Sequence, residues 1–140
     1  MNIYIISSFR NLPAVLLLRD SLREWAHNVA DFTSLAPPLP DAMTPEERRA
    51  ALDSDERGRI FSFFTEACAS SDLCIYVGPA GQDAACEVGI AWAAGVPVYA
   101  LTSPLEKPGV ILNGCVTRWF TEPALLIDAV QDMRETRTTE

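Results

Sequence analysis

Apolar residues follow two alternating rhythms along this chain. "NIYIISS" opens with a short run rich in β-branched residues and closes on two serines, the pattern of a strand running into a loop. From Leu12 the spacing changes to three and four. Leu12, Val15, Leu16, Leu18, Leu22, Trp25 and Ala26 recur on one helical face, and Pro13 falls in the first turn, where its missing N–H costs nothing. This predicts a helix over 12–27, and "VADFT" reads as a second short strand. "TPEERRAAL" has the signature of a capped helical turn: Thr44 at the N-cap, Pro45 at N1 and Glu47 at N3. A helix over 55–69 follows, with Ile60, Phe63, Phe64, Ala67 and Cys68 as its stripe. "DLCIYVG" is apolar almost throughout, as a central parallel strand covered on both faces should be. Residues 82–94 form the next helix, closed by Gly95. "VPVYAL" and "CVTRWF" are strands four and five. "EPALLIDAVQDMRE" is the last helix, and residues 136–140 are expected to fray.

Strands alternating with helices imply right-handed crossovers and an α/β fold: a doubly wound, five-stranded parallel sheet. Residues 1–135 are expected to be one domain with flavodoxin- or Rossmann-like order 2-1-3-4-5. Such sheets bind ligands outside the carboxyl ends of the strands, where the order reverses. That point brings "SSFRN", after strand one, against "GPAGQDAACE", after strand three. Ser7, Ser8, Phe9 and Arg10 offer hydroxyls and a guanidinium beside a helix start, suited to the oxygens of a nucleotide-like ligand. Gly78, Pro79 and Gly81 let backbone approach closely. Asp83, in the first turn of that helix, is a ligand contact or a dipole-compensating acid. Glu87 lies four residues on, on the same helix face among residues made for burial. A carboxylate there must be paired, open to a pocket or shifted in pKa. Asp31, at the end of strand two, stands beside the expected pocket mouth. The loop around "PPLP" is long and carries four of the ten prolines, which suits a lid.

Charge and cysteines narrow the class. A net charge of −8 lacks the footprint of a polymeric nucleic-acid binder, and Arg48, Arg49, Arg57 and Arg59 alternate with acids as on a solvated, ion-paired surface. No stretch approaches the ~18 apolar residues of a membrane helix, so no membrane partner is expected. Cys68, Cys74, Cys86 and Cys115 form no CxxC pair and no metal-ligand spacing. Neither metal nor cofactor is expected, and reduced thiols suit a cytoplasmic protein. Cys68 and Cys74 read as core. Cys86 reads as a small buried side chain, with a reactive thiol at the helix start as the alternative. His27 is placed to complement the end of helix one with its charge, and Trp25, Trp92 and Trp119 to pack.

"GQDAACEVGIAWAAGVPVYAL", with "IYIISSFRN" at the first strand, resembles the nucleoside 2-deoxyribosyltransferases and the related deoxynucleoside monophosphate N-hydrolases. The order of strands and helices agrees over nearly the whole chain. The resemblance implies that Glu87 is a nucleophile at the anomeric carbon of a small-molecule nucleoside or nucleotide, through a covalent glycosyl intermediate. It also implies a homo-oligomer, expected to be a dimer, in which Asn113 reaches a neighbour's site. Two positions depart from the family pattern. An acid before strand three is replaced by Phe64, eight residues ahead of Asp72, and an acid six residues before the nucleophile by Gly81. Gly81 and Asp83 disfavour a phosphomonoester. The alternative to catalysis is a nucleoside-binding module on the same fold.

Overall fold

The computed structural model describes residues 1–35 and 38–139. Its elements, in order, are β1 (Asn2–Ile6), α1 (Leu12–Glu24), β2 (Asn28–Asp31), α2 (Pro45–Leu52), α3 (Asp55–Ser70) and β3 (Leu73–Val77). They continue with α4 (Gln82–Ala93), β4 (Val98–Leu101), α5 (Val110–Cys115), β5 (Arg118–Phe120) and α6 (Pro123–Thr138). All neighbouring strands are parallel, in the order β2-β1-β3-β4-β5, with Ile3 opposite both Val29 and Leu73. This is the expected α/β architecture.

The alternation of β1 divides the core into two. Ile3 and Ile5 pack on one face with Val15, Leu18 and Leu22 of α1 and Leu126 and Val130 of α6. Tyr4 and Ile6 turn to the other face, with Cys68, Tyr76, Val88, Ala91 and Val98. That second face, under α3 and α4, positions the site. The capping box of α2 forms as the sequence predicts, with Thr44 and Glu47 satisfying each other's backbone N–H.

Several boundaries differ from the sequence-based expectation. α1 stops at Glu24 because Ala26 adopts a left-handed φ of 61°. The His27 N–H then reaches Leu22 O at 3.3 Å and the Ala26 N–H reaches Arg23 O at 2.9 Å, closing a Schellman motif with no glycine to announce it. β2 ends at Asp31 because its carboxylate caps a short 3-10 turn, Phe32–Ser34, by accepting from Thr33 N at 2.7 Å. α5 occupies part of what reads as loop and strand, so β5 begins at Arg118 and not at Cys115. α6 runs to Thr138, beyond the fraying expected from residue 136, because Arg137 pairs with Asp72 at 2.8 Å; Glu140 lies outside the described residues.

Four side chains also depart from their expected roles. His27 is buried, and burial pushes its pKa below the ordinary value, so it is held neutral and does not complement the helix end with charge. Trp25 and Trp92 are 52% and 60% exposed instead of packed. Cys86 is an exposed free thiol, whereas Cys68, Cys74 and Cys115 are buried. Among the described residues, no helix is long and apolar enough to cross a membrane.

Candidate active site

The loops after β1 and β3 meet as the strand order requires, and one side chain stitches them. Asn11 Nδ2 donates to Pro79 O at 2.7 Å, Val77 O at 3.1 Å and Ser7 Oγ at 3.0 Å. Ser7 Oγ in turn donates to Val77 O at 2.7 Å. Beside this seam opens a cavity of about 660 Å³. Ser7, Ser8, Phe9 and Arg10 line it from the β1 loop, and Gly81, Gln82, Asp83, Ala84 and Glu87 from the first turns of α4. Phe32, Pro38 and Asp41 close it from the segment after β2; Arg57, Ile60 and Phe64 close it from α3. Of the prolines expected to form a lid, Pro38 is on this wall and Pro37 lies outside the described residues.

Glu87 is the buried acid of the cavity, with 9% of its surface exposed. Tyr4, one strand away on β1, donates its hydroxyl to Glu87 Oε2 at 2.8 Å, and Cys68 Sγ lies 3.8 Å from the same oxygen. Loss of water raises the Glu87 carboxyl from 4.5 to about 7; the charge of Asp83 adds to the rise, while the Tyr4 and Cys68 hydrogen bonds oppose it. Burial first, then the Glu87 charge, push the Tyr4 hydroxyl far above its usual range. The Cys68 thiol is likewise raised, first by its contact with Cys74 and then by burial. The result is a carboxyl that is half ionised near neutral pH, oriented by a neutral phenol and open to a cavity. Such a group can act as a nucleophile or exchange a proton.

Of the residues expected to contact ligand, Ser7, Ser8, Phe9, Arg10, Gly81, Asp83 and Glu87 line one cavity. Ser8 Oγ is buried without a hydrogen-bond partner among the described residues, which leaves it for a bound molecule. Gly78, Pro79 and Asp31 are not on the cavity wall. A Cβ on Gly78 would sit 1.7 Å from Glu106 Oε2, so the glycine makes room for the Tyr76–Glu106 hydrogen bond of 3.0 Å. Pro79 contributes its carbonyl to the Asn11 seam. The Asp31 carboxylate is taken up by Thr33 and by Arg19, 3.6 Å away. Asn113 is engaged within its own chain, accepting from Trp119 Nε1 at 3.1 Å.

Sequence reasoning missed Tyr4, Asn11, Asp41 and Arg57. Tyr4 carried a signal: a tyrosine inside a fully buried strand needs a partner for its hydroxyl. Arg57 was hidden by its acidic neighbours, which made it look like ordinary surface; it belongs to the cavity wall. Among the described residues the lining thus holds two guanidiniums, Arg10 and Arg57, and three carboxyls, Asp41, Asp83 and Glu87. Among the described residues, no group of three or more His, Cys, Asp or Glu side chains is arranged to hold a metal ion.

Neither a family model nor a curated protein sequence matches the chain. Solved structures do. A 2-deoxyribosyltransferase from Bacillus psychrosaccharolyticus superposes with a TM-score of 0.70 at 19% identity, covering 91% of this chain and 90% of that one. A conserved protein from Enterococcus faecalis V583 also gives 0.70, at 17% identity, over 95% of this chain and 98% of that one. The CMP N-glycosidase BcmB of Clostridium botulinum gives 0.57 at 13% identity, over 94% and 99%. At these identities the likeness is one of fold.

Proposed function

We propose, from a fold shared with the nucleoside 2-deoxyribosyltransferase-like superfamily, that this chain breaks the N-glycosidic bond of a nucleoside-like small molecule with Glu87 as nucleophile. The observation that carries this reading is the buried Glu87 carboxyl, opening on the switch-point cavity and held by the Tyr4 hydroxyl. Attack by Glu87 on the anomeric carbon expels the base and leaves a glycosyl ester on the enzyme. A second base resolves the ester by transfer, or water by hydrolysis. Tyr4 keeps Glu87 in one orientation, and its hydrogen bond favours the ionised form. Asp83 and the Ser7–Arg10 loop position the sugar, and the segment carrying Pro38 covers the base. The protein works as a homodimer in the cytoplasm, where its free thiols stay reduced.

One observation favours a second reading, a nucleoside-binding module without turnover: α3 presents the Phe64 ring to the cavity and not an acid. The two readings separate in one experiment. Wild-type protein and Glu87→Ala are incubated with deoxynucleosides, ribonucleosides, their monophosphates and NAD, and free base is followed by chromatography. Base released by the wild type and not by the variant supports Glu87 as nucleophile. Binding of a panel member without release, at high protein concentration and long times, supports the module.

A further inference from the structure

We propose that Asp41 supplies the proton to the departing base, an assignment that rests on the nucleophile reading above. Displacement by Glu87 puts nucleophile and leaving group on opposite sides of the anomeric carbon, so the proton must come from across the cavity. Three carboxyls line that cavity among the described residues. Asp83 is four residues before Glu87 on the same face of α4, and therefore on the nucleophile's side. On the α3 wall stand Arg57, Ile60 and Phe64; two are apolar, and a guanidinium does not give up its proton. Asp41 remains: it lines the cavity from the segment between β2 and α2, apart from the helix that carries Glu87 and Asp83.

The Asp41 backbone is held in place. It sits in a turn closed by Met43 N donating to Pro40 O at 3.3 Å, and Arg48 Nη2 clamps the same carbonyl at 2.8 Å. Asp41 is an exposed residue of the cavity wall. In the first step the Glu87–carbon bond forms as the carbon–nitrogen bond breaks. The bonding pair goes to the base, and the Asp41 proton goes to a ring nitrogen. In the second step the Asp41 carboxylate takes a proton from the attacking water, or from the incoming base, as the Glu87 ester breaks.

A substrate whose base leaves without protonation isolates this role. The wild type, Asp41→Asn and Glu87→Gln are assayed on 2′-deoxyguanosine and on N7-methyl-2′-deoxyguanosine, whose base departs neutral. The assignment expects Asp41→Asn to lower kcat/KM on 2′-deoxyguanosine by about 10²-fold or more, the size of a general-acid contribution, and on the methylated substrate by no more than about threefold. Glu87→Gln should lose activity on both. Equal losses for Asp41→Asn on the two substrates, or no loss on either, overturn the assignment and leave the Glu87 reading standing. Base released from neither substrate by the wild type overturns the assignment together with the reading beneath it.

Discussion

A single carboxyl governs the chemistry proposed for this molecule, and its protonation is set by named neighbours. Glu87 is raised to about 7 by loss of water, against the pull of the Tyr4 hydroxyl. As a nucleophile it must be ionised, so release of a base that departs without protonation, as from N7-methyl-2′-deoxyguanosine, should rise with pH through about 7 and level off above it. Tyr4→Phe removes a hydrogen bond that favours the charged form, so the rising limb should move to higher pH; a pH–rate profile of both proteins reads the shift. The same raised pKa costs stability. Between the unfolded value of 4.5 and about 7 the folded state holds the extra proton, so stability falls as pH rises through that window. Glu87→Gln, which has no charge to bury, should therefore gain on the wild type by roughly 1–2 kcal/mol at pH 8, part of the pKa cost being returned by the buried amide. Near pH 4.5 that gain should vanish. Urea melts at the two pH values measure it.

Helix ends show what the sequence could and could not reveal at the next scale. α1 and α4 both finish in Schellman motifs, Ala26 at φ 61° in one and Gly95 at φ 77° in the other. Gly95 was legible because glycine is the residue that adopts this conformation without a Cβ clash. Ala26 was not, because alanine reads as a helix former, and the prediction ran on to residue 27. Ala26→Gly should consequently stabilise the protein by about 0.5–1 kcal/mol, an effect a thermal melt resolves, while Gly95→Ala should destabilise it by at least as much. α5 was invisible for another reason: six residues with a glycine among them carry no periodicity that can be told from loop. The strand order needed none of this detail. Alternation of long periodic helices with short apolar runs was enough to give the sheet, its switch point and the two loops that meet there. Asp41, Arg57 and Phe32 were not legible as site residues, because a side chain's place across a cavity depends on how distant elements pack.

At the scale of the molecule, the proposed dimer needs a surface on which two chains of net charge −8 can meet. The outward side of α4 offers one. Ala85, Cys86 and Trp92 are exposed there with no charge among them, and α5 beside it exposes Val110 and Ile111 by 88% and 77%. An uncharged, apolar face of this kind marks a protein interface more often than free surface. Light scattering should give a dimer for the wild type and a monomer for Trp92→Glu. The Asn11 seam carries a consequence for how the protein is made. Its partners Val77 and Pro79 lie 66 and 68 residues further along the chain, so nothing can dock in the switch-point cavity while only the first half has left the ribosome. β1 must wait, flanked on one side by β2 alone, until β3 arrives by its long crossover. A ligand of that cavity, added during synthesis, would therefore have no half-built chain to rescue, and could shelter only molecules whose sheet is already complete.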